Sequence, residues 1–111
     1  MAYDEAFADR VRGLLQDEEG VTERKMFGGL GFMVHGHMAV AVSGRDVMML
    51  RADPQTEDRL LDREGVEQTV MRGRPMSGWL DVGPELTGDD AALRELVEGA
   101  VAHVRTLPPK G

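Results

Sequence analysis

Residues 24–33 form a glycine-rich apolar stretch, Arg-Lys-Met-Phe-Gly-Gly-Leu-Gly-Phe-Met, which constrains the fold more than any other part of the chain. Its large apolar residues favour a buried strand, yet Gly28, Gly29 and Gly31 stand inside it. Glycine loses more backbone entropy than other residues on entering a strand and adds no packing, so a strand with three glycines usually bulges or lets another backbone come close. The stretch therefore predicts a strand with a structural bulge at these glycines.

A phosphate-binding loop is the alternative interpretation of the same glycines. A P-loop ends in Gly-Lys-Ser/Thr and leads into a helix whose N–H groups meet the phosphate. Here the apolar residues Phe32, Met33 and Val34 follow, and no βαβ unit surrounds the stretch as a dinucleotide-binding fold requires. We therefore predict no nucleotide and no other cofactor.

The composition limits the class of protein. The chain has 111 residues, enough for one domain, which we place at residues 1–111. It has no cysteine, which excludes disulfides, thiol nucleophiles and cysteine-based metal sites. A net charge of −7 opposes direct nucleic-acid binding, which depends on phosphate neutralisation. Without a signal-like N-terminus or an apolar run of ~20 residues, we expect a cytoplasmic protein that does not span a membrane.

The hydrophobic periodicity predicts most of the secondary structure. Apolar residues at helical spacing predict a first helix over residues 3–17, with Gly20 as its C-terminal stop. Hairpins turning at His35-Gly36 and at Gly44-Arg45 are expected to join the first three strands. The predicted strands cover residues 23–34, 38–43, 46–51, 66–71 and 79–82, with a loop over 72–78 between the last two.

Two further helices complete the predicted order. Asp53 followed by Pro54 predicts the N-cap and first residue of a short second helix that ends at Gly65. Thr87 is the expected N-cap of the last helix, whose apolar stripe comprises Leu93, Leu96, Val97, Ala100, Val101 and Val104. The order α-β-β-β-α-β-β-α predicts an α+β two-layer sandwich, in which three helices cover one face of a mainly antiparallel five-stranded sheet.

Three stretches together resemble the TfoX N-terminal domain family of small bacterial proteins. They are the glycine-rich stretch, the segment Gly73-Arg74-Pro75-Met76-Ser77-Gly78-Trp79, and the closing Leu107-Pro108-Pro109-Lys110. The resemblance, over residues 20–110, implies a fold similar to that of type III secretion chaperones, which are binding modules. It also implies a regulatory role in natural competence or transcription, although we expect the chain to lack the C-terminal domain of full-length competence regulators. The residues assigned to the structural motif are Gly28, Gly29, Gly31, Gly73, Pro75 and Gly78.

A local concentration of positive charge stands out from the acidic background, at Arg24, Lys25, Arg72 and Arg74. If the glycine-rich strand lies near the 72–78 loop, these cations predict an anion or carboxylate site. Trp79, the sole tryptophan, would then form an aromatic wall or anchor beside it. The alternative is surface salt bridging with Trp79 in the core, and the sequence leaves both open.

Metal binding and catalysis have weaker sequence support. His35 and His37 flank Gly36, and a His-x-His pair within a strand can hold a metal. Because the two histidines straddle a predicted turn and no third ligand is marked, we predict exposed turn histidines and no metal site. Ser43 and Ser77 are the only serines, and neither stands in a nucleophile elbow, so no catalytic residue is predicted.

The leading functional hypothesis is a non-catalytic cytoplasmic interaction module that presents a sheet face or edge, with methionine and tryptophan contacts, to a protein partner or to a second copy. Open sheet edges and eight methionines favour self-association, so we expect a homodimer. The alternative is a small anionic-ligand binder or enzyme, with a pocket near Arg24, Lys25, Arg74 and Trp79. Direct nucleic-acid binding is the third hypothesis.

Overall fold

The structure is a computed structural model that describes residues 4–26, 29–43 and 47–108. The predicted α+β class is confirmed, but the described residues form six strands and four helices rather than five and three. In chain order the elements are α1 Glu5–Leu15, β1 Val21–Met26, β2 Gly29–Val34, β3 His37–Val42, β4 Met48–Arg51, α2 Glu57–Leu61, β5 Val66–Met71, β6 Arg74–Val82, α3 Pro84–Thr87 and α4 Asp90–Val104.

The additional strand comes from the glycine-rich stretch. The prediction of one strand over 23–34 is wrong: β1 and β2 are separate antiparallel strands, with Met26 opposite Gly29. The sequence analysis placed Gly29 inside one continuous strand, whereas it is the first residue of β2. The register shift of β2 against β3 lies between Phe32 and Met33, beyond the glycines. Gly28 is outside the described residues, and so is the predicted turn at Gly44-Arg45.

All pairings within the sheet are antiparallel, and the strand order is β1-β2-β3-β4-β6-β5. The predicted turn at His35-Gly36 is confirmed, with φ angles of 50° and 87°. Arg72 and Gly73 form a second turn of this kind, with φ angles of 53° and 77°. Positive φ at both central residues is the geometry of the type I′ hairpin. The predicted 72–78 loop is therefore wrong, because β6 begins at Arg74.

Three predicted helix boundaries also differ from the structure. The first helix ends at Leu15, and Gly20, with a φ angle of 75°, lies in the turn before β1. The second begins at Glu57 because the carboxylate of Asp53 accepts the Gln55 N–H, 2.8 Å away, and closes a turn instead of a helix. The last follows Asp89 rather than Thr87. Asp89 Oδ1 accepts the N–H groups of Ala91 and Ala92 at 2.9 and 3.2 Å, whereas Thr87 ends α3.

The core lies between one face of the sheet and the helices. Every residue of the predicted α4 stripe is buried, as are Phe7, Val11 and Leu15 of α1. The buried residues from the central strands are Leu30, Phe32, Val34, Ala39, Val40, Val42, Met48, Leu50, Leu80 and Val82. Because strand side chains alternate between faces, the residues between these point away from the helices. The sheet thus has one covered and one open face.

The Asp89 cap provides a test of the corrected boundary. We expect Asp89→Ala to lower the free energy of unfolding by about 1 kcal/mol, because the first N–H groups of α4 lose their acceptor. Asp90→Ala is the matched control, since Asp90 makes only an exposed ion pair with Arg10, in which its own side chain is 95% exposed. Exposed pairs contribute little, so the control should cost less than half as much. Urea unfolding measures both; equal losses would contradict the cap assignment.

Candidate functional site

The four residues predicted to form an anion site lie in two separate places. Arg24 and Lys25 are on β1, whereas Arg74 and Trp79 are on β6. Strands β2, β3 and β4 stand between them, and at the usual strand spacing this is a separation of about 19 Å. The sheet order therefore does not bring the two pairs of residues together around one small ligand.

Neighbouring residues of β1 face opposite sides of the sheet. Lys25 pairs with the buried Leu30 and points toward the helix layer, whereas Arg24 pairs with Gly31 and points to the open face. On the helix side of β1, Glu23 accepts two hydrogen bonds from Arg12 of α1, at 2.5 and 2.9 Å. This bonding holds the pKa of the Glu23 carboxyl below its ordinary value and raises the pKa of Arg12. Of these side chains, only Arg24 is placed on the open face.

Trp79 has a cationic neighbour that the sequence analysis did not select. Arg51 of β4 pairs with Trp79 of β6, and its Cζ lies 5.2 Å from the centroid of the indole ring. This is the range of a cation–π interaction. Trp79 is half-buried rather than enclosed in the core. No sequence signal marks the pair, because it depends on β4 lying next to β6.

The Gly73–Trp79 motif forms an irregular strand held by two side chains. The register of β5 and β6 shifts between Gln68 and Val70, so Met76 to Trp79 bulge out of regular pairing. Gln68 Nε2 donates to the carbonyls of Met76 and Trp79 at 2.7 and 3.0 Å. Glu57 Oε2 of α2 accepts the Gly78 N–H at 2.7 Å. We call Gln68 and Glu57 the clasp.

Two predicted motif glycines have a clear backbone role. Gly73 occupies the second position of the β5–β6 turn, and Gly78 has a φ angle of 87° within the bulge. The Gly78 carbonyl also accepts the Ala52 N–H at 2.7 Å. Both conformations are strained for residues with a Cβ, which explains the spacing of the motif in physical terms. Pro75 pairs with the exposed Val70 near the hairpin tip.

One residue from each strand forms a row across the open face. In sheet order this cross-sheet row is Arg24, Gly31, Ala41, Met49, Asp81 and Glu67. The row begins with a positive charge on β1 and ends with two carboxylates on β6 and β5. Its centre carries no charge. The row therefore has opposite charges at its two ends.

Methionines and the tryptophan surround the middle of this row. Met33 and Met38 pair across β2 and β3, next to the extra residue Ala39, and Met49 and Trp79 follow on β4 and β6. These four side chains are half-buried, although no described helix packs over this side of the sheet. Methionine adapts its shape to a contacting surface, and tryptophan is enriched at interfaces. The open face therefore has methionines and a tryptophan around its centre, with the Arg51 guanidinium over the indole ring, and carries the charges of the row at its ends.

The two turn histidines are engaged in other contacts. His35 Nε2 lies 3.2 Å from Nη1 of Arg105, and His37 Nε2 lies 2.6 Å from the Pro108 carbonyl oxygen. Within residues 4–26, 29–43 and 47–108, no group of three or more histidines and carboxylates is arranged to hold a metal ion. His35 is exposed, whereas His37 is half-buried as the first residue of β3, and the absence of a metal site stays a prediction.

The fold and the open face define an α+β protein with a single antiparallel sheet covered on one side. The chain matches the family model of the TfoX N-terminal domain over residues 13–104, and it therefore belongs to the TfoX N-terminal domain family. No curated protein and no solved structure matched the chain. None of the described helices is both long and apolar enough to cross a membrane.

The clasp gives a second test. Glu57→Ala removes the acceptor of the buried Gly78 N–H, and we expect a loss of about 1–3 kcal/mol in the free energy of unfolding. Glu57→Gln keeps an acceptor oxygen and should lose less. The matched control is Glu64→Ala, an exposed glutamate with no partner among the described residues. Unfolding followed by Trp79 fluorescence reports stability next to the bulge; a Glu57→Ala variant as stable as the control would disprove the clasp.

Proposed function

We propose that this member of the TfoX N-terminal domain family is a non-catalytic interaction module, and that its open face pairs with the open face of a second copy. The observation that supports this proposal is the charge distribution along the cross-sheet row. Arg24 lies at the β1 end, and Glu67 and Asp81 lie at the opposite end. Such a row is complementary to itself when one copy is reversed.

A two-fold axis parallel to the strands gives this reversal. Six strands place three on each side of an axis between β3 and β4. In the pair, β1 of one copy faces β5 of the other, so Arg24 faces Glu67 twice in each dimer. An axis along the row would instead place Arg24 against Arg24, and like charges oppose association. The charges therefore select one of the two face-to-face arrangements.

The sizes of the central side chains fit the same arrangement. Gly31 and Ala41 make the β2–β3 half of the row shallow, whereas Met49 and Asp81 project from the β4–β6 half. The proposed axis places the shallow half of each copy opposite the projecting half of the other. Packed sheets lie about 10 Å apart, a distance that such side chains fill by interdigitation. Closed two-fold dimers are also the commonest oligomers.

Binding rather than catalysis is the activity that the open face supports. It presents thioethers, an indole and well-separated charges instead of a nucleophile beside a base. Family membership extends the proposal to a regulatory role, in competence or transcription, exercised through this interface. The alternative of one anion pocket at Arg24, Lys25, Arg74 and Trp79 has less support, because the sheet separates these residues.

A charge-reversal experiment tests the arrangement. Arg24→Glu and Glu67→Arg should each weaken the dimer about tenfold, because each places like charges in contact at two symmetric positions. The double variant Arg24→Glu with Glu67→Arg should recover the wild-type dissociation constant. Sedimentation velocity over a micromolar concentration series measures all four proteins.

Lys25→Glu is the matched control, since Lys25 neighbours Arg24 but points to the other face. It should leave the dimer unchanged. A wild-type chain that is monomeric at about 100 μM would refute the proposal, as would a dimer that tolerates both single reversals. The second result would indicate pairing through an edge strand.

A further inference from the structure

A groove of about 730 Å³ lies on the helix side of the molecule, between α2 and the C-terminal half of α4. Its floor is apolar and includes Leu50, Leu60, Leu96 and Ala100. Its volume falls within the range of small-molecule sites. Apart from Arg51, which lies over Trp79, no residue named on the open face lines the groove, so an inference about it does not depend on the proposed dimer.

Contacts between polar side chains lie near both ends of the groove. Arg63 Nη1 lies 3.4 Å from Glu95 Oε1, and His103 Nδ1 lies 4.0 Å from Asp53 Oδ2. The α2 segment therefore runs antiparallel to α4. Glu95 and His103 are eight residues apart on one helix, which is a length of about 12 Å. A groove of this length fits a compact small molecule better than an extended peptide.

Among the charged residues that line the groove, Arg59 is the cation without a described partner, because Arg51 lies over the Trp79 ring. Glu95 is paired with Arg63, and Asp53 accepts the Gln55 N–H and lies beside His103. Arg59 also lines the groove, and it has no hydrogen bond or ion pair with any residue that the structure describes. An unpaired guanidinium at the rim of an apolar groove complements a carboxylate, which it can bind through two parallel hydrogen bonds.

At the middle of the groove, α4 presents a glycine instead of a side chain. Gly99 stands halfway between Glu95 and His103, and a Cβ added there would meet no described atom within 4 Å. Glycine in a helix interior is less favourable than alanine, so its position here costs helix stability while leaving space. That space lies beside the apolar floor.

We propose that this groove binds a small monocarboxylate with an apolar body. The carboxylate pairs with Arg59, and the body lies on Leu60, Leu96 and Ala100 beside Gly99. Apolar contact supplies most of the affinity, and the guanidinium selects the anion over uncharged or cationic molecules of the same shape.

The test is a titration of the full chain with octanoate as the probe, and with octylamine and 1-octanol as comparators. Nitrogen–proton NMR spectra monitor each titration. Octanoate should shift the amide signals of Gly99 and its groove neighbours in a saturable way, with a dissociation constant at least tenfold lower than that of either comparator. Equal binding of octylamine, or shifts confined to the open face, would overturn the proposal.

Two pairs of variants make the result specific. Gly99→Leu fills the groove and should weaken octanoate binding at least tenfold. Gly13→Leu is its control and should leave binding unchanged. Gly13 is a glycine of α1 whose added Cβ also meets no described atom within 4 Å. Arg59→Gln should remove the preference for octanoate over 1-octanol, whereas Arg94→Gln, on the exposed side of α4, should keep it. Unchanged binding in both Gly99→Leu and Arg59→Gln would also overturn the proposal, and the Arg59 pair remains decisive if Gly99→Leu fails to fold.

Discussion

The alternation of side chains across six antiparallel strands is the constraint on which the rest of the structure depends. It directs Phe32, Val40, Leu50 and Leu80 into one core and leaves every intervening residue on a second surface. The bulge at Ala39 preserves this division, because one extra residue in β3 returns Met38 to the open face opposite Met33. Without that correction, β3 would direct the wrong side chains into the core on one side of the bulge.

Local signals predicted the parts of the fold that depend on neighbouring residues. The α4 stripe and the His35-Gly36 turn follow from helical periodicity and from turn chemistry, and both are present. Of the two misassigned strand regions, the one after Gly73 depends on distant partners. Met76 to Trp79 resemble a loop in sequence, and they become part of a strand only because Gln68 and Glu57 supply hydrogen bonds from other elements.

The candidate functional surfaces were less predictable for the same reason. The sequence identified Arg24 and Trp79 as candidate site residues but could not show that β4 lies next to β6. This strand order places Trp79 far from Arg24 and next to Arg51. The cross-sheet row can be recognised only when the registers of all five strand pairs are known. The groove requires the position of α2, a helix of five residues whose start depends on a turn at Asp53.

The strand order also has a consequence for how the chain folds. Strands β1 to β4 pair with their sequence neighbours, and β5 pairs with β6 across the two-residue turn at Arg72-Gly73. The remaining pairing, β4 with β6, joins Met48 to Val82 and closes the longest loop in the sheet. The entropy of closing this loop is lost before the contacts between β4 and β6 form, so this pairing has the largest entropic barrier. We expect the meander β1–β4 and the β5–β6 hairpin to form early. The pairing of β4 with β6 should then limit the folding rate.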